Sequence, residues 1–289
     1  MLDAPSNLGL RPPLPGVVPG VYKLAGALRD HGLLARLGAR DAGVATPPRY
    51  SSELRAGEGT RNEAAIARYT PRLADRIERL LVDGEFPVVL GGDCSILLGG
   101  LLALRRRGRF GLAYLDGHLD FRHPGNAPEL DATAGEDLAL VTGRGGALAE
   151  LEGLRPLVRE QDVLAIGARA DDQDLAEAVA AGIAVDTDAD VRANGATRTG
   201  ERAARRLAAV DGFWVHLDAD IIDPETMPAV DSPDPGGLGL AEVAALLRPL
   251  LASPRAVGLE VTILDPDLDE DGTLAGRFAD LIVDALRPS

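Results

Sequence analysis

The stretch Ala113-Tyr114-Leu115-Asp116-Gly117-His118-Leu119-Asp120 decides how the rest of the chain is read. An apolar run from Phe110 to Leu115 ends in Asp-x-His-x-Asp. Further on the pattern recurs in kind as Phe213-Trp214-Val215-His216-Leu217-Asp218-Ala219-Asp220, followed by Asp223-Pro224. Carboxylates and an imidazole at the end of a buried strand carry a large solvation penalty. An Asp-x-Asp occurring once reads as a helix cap or turn, and Asp223-Pro224 reads as a bracing turn. Two such clusters in one chain point instead to a shared polyvalent cation.

Working outward, apolar runs alternate with helical spacing along the whole chain. A short first strand precedes a Pro/Gly-rich loop, and Gly20–Leu37 and Glu63–Leu81 have helical periodicity. Phe86–Leu90 reads as a strand running into the turn Gly91-Gly92-Asp93-Cys94-Ser95, with a helix over 96–106. After the Phe110–Leu115 strand come a polar loop over 121–134 and a helical pattern over 135–142. Strands follow at 162–167, 183–185, 213–217 and 255–261, with helices at 174–181, 199–209, 241–251 and 274–286. Continuous apolar strands between helices predict a mainly parallel sheet covered on both faces, a three-layer αβα arrangement. No linker-like break interrupts it, so residues 1–289 read as one domain. In such sheets ligands bind beyond the carboxyl ends of the strands. The polar groups Asp93-Cys94, Asp116–Asp120, Asp218–Asp223 and Glu260 all fall at or near those ends.

Composition narrows the partners. A formal charge of −15 argues against nucleic acid and anionic membranes. Lys23 is the only lysine, and Cys94 the only cysteine, so no disulfide forms within the chain. The N-terminus lacks the basic and apolar regions of a leader, and no apolar run approaches the ~20 residues that span a bilayer. The expected location is the cytoplasm.

Asp116, Asp120, Asp218 and Asp220 carry four negative charges, which two divalent ions balance and one does not. Oxygen-rich sites with some imidazole suit Mn2+. Two such ions a few Å apart lower the pKa of a shared water toward neutrality.

Gly91-Gly92-Asp93-x-Ser95, Asp116-Gly117-His118-Leu119-Asp120, Asp218-Ala219-Asp220-Ile221-Ile222-Asp223-Pro224 and Gly258-Leu259-Glu260-Val261 occur in the order and spacing of the ureohydrolase family of arginases, agmatinases and formiminoglutamases. Ala4-Pro5-Ser6-Asn7-Leu8-Gly9 also resembles the family's first loop, so the resemblance spans nearly the whole chain. It implies the arginase-like fold with eight strands, two Mn2+ ions, and hydrolysis of a guanidino C–N bond. By this resemblance Asp116 and Asp218 bridge both ions, Asp120 binds the first, and His118 and Asp220 bind the second. Glu260 holds the guanidinium. Bridging hydroxide attacks the guanidinium carbon, and the tetrahedral intermediate collapses to an amine and urea. The implied substrate is L-arginine or a close derivative such as N-omega-hydroxy-L-arginine. The alternatives are an agmatinase- or formiminoglutamase-like activity, or a catalytically impaired member with a binding role. Trimers or hexamers are common in the family, so a homo-oligomer is expected.

The chain departs from the family pattern at defined places. Cys94 stands where a His normally binds the first ion; either it binds as a thiolate, which would suit Zn2+ or Co2+ better than Mn2+, or it is a buried small residue and the ion keeps only its carboxylates. Ala134-Gly135 stands where the arginases have His-Gly, which leaves His123, His216 or solvent to move the proton. Phe121-Arg122-His123-Pro124-Gly125-Asn126 replaces the arginase loop, making Arg122 and Asn126 candidate substrate contacts; Arg122 could hold a carboxylate. Asp172 falls in the region that contacts the substrate amino group. His216 lies at strand period two from Asp218 and reads as a donor behind the metal ligands.

Overall fold

Side chains along Phe213–Asp218 alternate between two buried faces. Phe213, Val215 and Leu217 join one apolar cluster and Trp214 the other, and all are at most 2% exposed. The same alternation separates Ala113 and Leu115 from Leu112 and Tyr114. A strand buried on both sides needs helices above and below it. A computed structural model describes residues 1–127 and 129–287 and shows that arrangement.

Seven parallel strands form one sheet: β1 (Leu2–Asp3), β2 (Val88–Leu90), β3 (Gly111–Leu115), β4 (Val163–Ile166), β5 (Ala184–Asp186), β6 (Phe213–Asp218) and β7 (Ala256–Thr262). Their order across the sheet is β1-β2-β7-β6-β3-β4-β5. On one face lie α3 (Glu63–Val82), α4 (Leu97–Arg105), α5 (Asp137–Val141) and α6 (Leu175–Ala180). On the other lie α1 (Leu24–Asp30), α2 (Leu33–Arg36), α7 (Asp188–Asn194), α8 (Ala196–Leu207), α9 (Leu240–Leu251) and α10 (Thr273–Leu286). Helix α3 illustrates why these segments coil: Ile66, Leu73, Ile77 and Leu80 recur at helical spacing and are all buried against the sheet.

Three expectations need correction. The eighth strand is absent among the described residues. Its place beside β1 holds only a single bridge, Asp3 to Val44. Pro47-Pro48 follow at once and lack the N–H groups a ladder requires. The helix expected over 20–37 breaks at Gly32, whose φ of 72° reverses the chain between α1 and α2. Helix α7 was not expected; Thr187 and Asp190 form a reciprocal capping box that starts it.

Trp214 is the largest fully buried side chain, and its neighbour is shaped to receive it. Gly258 is its register partner on β7, and a Cβ there would lie 2.1 Å from the indole. Gly258→Ala should therefore lower stability by about 1–3 kcal/mol through overpacking. Gly26, exposed within α1 with nothing within 4 Å of a built Cβ, is the control. Gly26→Ala should raise stability by about 0.5–1 kcal/mol. Urea unfolding of both variants checks this pair, and the order of midpoints must be Gly26→Ala above parent above Gly258→Ala.

Glu136 ties the loop before α5 to the entry of α3. It is 5% exposed and accepts hydrogen bonds from Thr60 Oγ1 at 3.3 Å and the Ala132 N–H at 3.2 Å. Burial outweighs these bonds and pushes its pKa up to about 7 from the usual 4.5. Between those pH values the native state keeps a proton that the unfolded chain has lost, so this group makes stability fall as pH rises. Glu136→Gln should match the parent near pH 4.5 and exceed it by up to about 3 kcal/mol at pH 8. Paired denaturant titrations at the two pH values measure the difference.

Candidate metal centre

Strands β2, β7, β6 and β3 lie side by side, and their carboxyl ends open on a common crevice. The register between β3 and β6 pairs Tyr114 with His216 and Leu115 with Leu217. The next step brings Asp116 beside Asp218. On β7, Glu260 pairs with His216 and Thr262 with Asp218. Two rows of side chains therefore cross the sheet on one face. Asp116, Asp218 and Thr262 form the upper row, and Tyr114, His216 and Glu260 lie one row deeper.

Cys94 reaches the same place from β2. The Gly91-Gly92 turn passes directly under the first loop, where a Cβ on Gly92 would lie 1.7 Å from the Ser6 carbonyl oxygen. Asp93, fully buried, accepts from the Ser95 N–H at 2.8 Å and from the Ser6 hydroxyl at 2.7 Å. That cap starts the helical turn Cys94–Ile96 and aims Cys94 at β6. Its thiol donates to Asp218 Oδ2 at 2.8 Å, with Thr262 Oγ1 3.3 Å away.

Two groups of ligand atoms converge, each with all members within 4.8 Å of one another. One comprises Cys94, Asp116, His216 and Asp218, all buried; the other comprises Asp116, His118 and Asp220. Asp116 belongs to both. Its Oδ2 is buried without a hydrogen-bond partner, as is His216 Nε2, and the two atoms are 3.8 Å apart. In the second group His118 Nδ1 lies 2.9 Å from Asp220 Oδ2, and Nε2 lies 3.1 Å from Asp234 Oδ2. Unpaired buried oxygen and nitrogen atoms beside a thiol fit divalent cations.

The electrostatics agree. With protons as the only counter-charges, burial pushes the Asp218 carboxyl well up, and Asp220 and Asp116 add to the shift. Burial and then Asp220 push Asp116 up as well. The Cys94 thiol is held well above its ordinary range by burial and then by Asp218. Burial pulls His118 down, but its hydrogen bond to Asp220 and the surrounding carboxylates prevail and push its pKa up to about 12. His216 behaves likewise: burial lowers it, but the neighbouring Asp116 and Glu260 carboxylates prevail and raise it. Among these groups Asp220 alone is lowered: burial raises it, but His118, the Gly117 N–H and Arg169 together prevail. A site that holds protons this tightly takes divalent cations in their place, with proton release.

Above these groups is a cavity of about 200 Å3. Cys94, His118, Asp120, Asp218 and Asp220 line it together with the apolar Leu10, Ala134 and Ile263, and Arg11, Arg122, Asp231 and Ser232 line its more exposed rim. The other expected site residues are placed differently from one another. Asp120 lies at the cavity but outside both ligand groups, because the Tyr114 hydroxyl takes its Oδ2 at 2.9 Å. Glu260 is 0% exposed and does not reach the cavity; its Oε1 is 2.8 Å from His216 Nδ1. Its assignment to the guanidinium is corrected on that ground, since β7 directs the side chain into the row beneath the crevice. His123 turns away to Glu177, 2.8 Å from its Nε2, and Asn126 braces the same loop through Phe121 and Glu177. Neither lines the cavity. Asp172 accepts the Leu119 N–H at 3.1 Å and lines an adjoining hollow with His118 and Arg169.

Several contributors were not read from the sequence. Arg11 sits on the rim, paired with Asp131. Asp137, fully buried, has its Oδ1 3.0 Å from the Tyr114 oxygen; the single phenolic proton serves one of the two carboxyls, and the other, protonated, donates to that oxygen. Ile263 follows β7 with a φ of 73°, a strained conformation for a β-branched residue, and presents its side chain to the cavity. Only Asp137 left a signal, as a charge opening an apolar helical turn.

Known proteins match both sequence and fold. The family model for the Arginase family matches residues 27–287. The arginase of Agrobacterium fabrum is 30% identical over 296 aligned positions, covering 97% of this chain and 88% of that protein. The structure of the arginase from Bacillus caldovelox superposes with a TM-score of 0.89 at 28% identity, covering 100% of this chain and 97% of that one. The formimidoylglutamase of Bacillus subtilis shares the fold, with a TM-score of 0.74 at 19% identity, 99% of this chain and 85% of that one being covered. The arginase family depends on a binuclear metal centre, and two ligand groups sharing one carboxylate lie in the crevice described above. With its family pattern matched over most of its length, this chain belongs to the Arginase family, hydrolases of guanidino and amidine bonds.

Proposed function

We propose that the chain hydrolyses the guanidino C–N bond of L-arginine or a close derivative such as N-omega-hydroxy-L-arginine, releasing ornithine and urea or hydroxyurea. The observation that carries this is the polarity of the cavity. Its buried lining is acidic, while Arg11 and Arg122 stand at its more exposed rim beside Asp231. A substrate with a cationic guanidinium at one end and a carboxylate at the other complements both. The apolar stem between them packs against Leu10, Ala134 and Ile263.

Two divalent ions, Mn2+ in the group of Asp116, His118 and Asp220, would supply a water acidic enough to serve as nucleophile at neutral pH. The residues of the chain do the rest. Asp116 fixes the spacing of the two sites because it belongs to both. Asp120 takes up a proton and returns it to the departing amine. It lines the cavity, and burial followed by Asp116 pushes its pKa well up. His123, engaged with Glu177, leaves that route to Asp120.

A formiminoglutamase-like activity is the second reading, because its substrate also offers carboxylates to Arg11 and Arg122. Agmatine has the guanidinium and the ammonium but no carboxylate, and so offers nothing to Arg11 and Arg122. A catalytically impaired binding role is the reading from another class. The charge of −15 goes with small-molecule partners, and no described helix is long and apolar enough to cross a membrane. A cytoplasmic homo-oligomer completes the proposal.

The decisive assay loads the purified chain with Mn2+, Co2+ or Zn2+ and measures urea, hydroxyurea or amine release from arginine, its N-hydroxy derivative, agmatine and formiminoglutamate. Turnover should favour the arginine-type substrates. Absence of turnover with every metal, together with less than one ion bound per chain, would overturn the hydrolase reading. Arg122→Ala should raise KM for arginine by about 10- to 100-fold with a smaller change in kcat, and leave KM for agmatine unaltered. Asp116→Asn should lower metal content at both positions, read by elemental analysis after dialysis.

A further inference from the structure

Cys94 removes an imidazole from the position where the family's first ion is held, and the structure offers another. His216 lies one row below the ligand carboxylates on β6, fully buried. A histidine that serves only the core has both ring nitrogens satisfied. Here Nδ1 is satisfied, 2.8 Å from Glu260 Oε1, and Nε2 is buried without a partner. That unpartnered nitrogen lies 3.8 Å from Asp116 Oδ2, itself unpartnered. One ligand atom from each of His216, Asp116, Asp218 and Cys94 lies within 4.8 Å of the others. The edges of a tetrahedron about zinc with such ligands measure about 3.3–3.8 Å.

We infer that His216 is a direct metal ligand, and that with Cys94, Asp116 and Asp218 it forms a four-ligand S/N/O/O site for a zinc-like ion. The assignment rests on the metal-centre part of the proposed function, and not on the identity of the substrate. Glu260 then acquires a role that fits its burial. A carboxylate behind a metal-bound imidazole takes the N–H of the other nitrogen, fixes the tautomer and orients the ring. Tyr114 completes the support, its ring stacked on His216 at 4.9 Å between centroids and 8° between planes. His216 is the metal ligand in this reading; Glu260 and Tyr114 are positioning residues. A thiolate and an imidazole favour Zn2+ or Co2+, whereas Asp116, His118 and Asp220 offer harder donors. The two halves of the centre therefore prefer different ions.

Co2+ makes this visible, because a cobalt–thiolate bond gives an intense near-ultraviolet charge-transfer band. The intact chain should bind Co2+ with that band and with the strong visible absorption of a tetrahedral ion. His216→Ala should weaken the tetrahedral absorption and lower Zn2+ affinity at this site by at least about 10- to 100-fold. Glu260→Gln should lower it less. Unchanged affinity and spectrum in His216→Ala would overturn the assignment. Should that variant fail to fold, X-ray absorption on zinc-loaded His118→Ala answers the same question. At one zinc per chain, the only candidate imidazole in the centre is then His216. One sulfur and one imidazole in the zinc shell are expected, and a shell with no imidazole overturns the assignment. A chain that hydrolyses none of the guanidino compounds but binds zinc through His216 supports this inference and counts only against the proposed reaction.

Discussion

The register between β3 and β6 sets Asp116 against Asp218, and most of the chemistry depends on that pairing. Two carboxylates in a buried row repel one another and have lost their water, so each needs a compensating positive charge. Protons meet the need only in part: several of the neighbouring carboxyls and both nearby imidazoles are pushed up together. Divalent cations meet it with fewer particles and a defined geometry. The sheet order β2-β7-β6-β3 then matters, because it brings Cys94 and Thr262 to the row from one side and His118 from the other.

Beneath that row is a polar layer that an apolar core would not contain. Glu260, His216, Tyr114 and Asp137 are each fully buried, and each bonds to or stacks on another. A buried charge is costly unless it is paired, and half-satisfied networks are worse than apolar packing. Of its unpartnered atoms, His216 Nε2 lies 3.8 Å from Asp116 Oδ2 in the ligand row. The layer orients the groups above it: His216 toward Asp116, and Asp120 through Tyr114. The lining of the cavity above combines acidic, basic and apolar side chains, which suits a substrate charged at both ends.

Much of this was legible along the chain. The alternation of strands and helices, the seven strand segments and the polar clusters at their ends follow from hydrophobic period and residue type. The Asp-x-His-x-Asp and Asp-x-Asp motifs identified a cation centre because no apolar core explains them. Less legible were features that hang on neighbours distant in sequence. The break at Gly32, the single bridge at Val44 and the capping box before α7 are local, yet too short to register as periodicity. Glu260 looked like a cavity residue because it sits in a motif near a strand end. Its register with His216 puts it below the cavity, and Ile263, three residues on, lines the wall instead.

The sequence by itself determined the layered parallel fold, the crevice side of the sheet and the chemical class of the centre. These depend on strand period, residue type and the rule that ligands meet the carboxyl ends of parallel strands. Tertiary structure alone decided which side chain reaches the crevice and which supports another from below. It placed His123 on Glu177, Asp120 on Tyr114 and His216 between Glu260 and Asp116. The reason is physical: period two tells which face a side chain takes, but register and the packing of remote segments set how far its atoms stand from their partners.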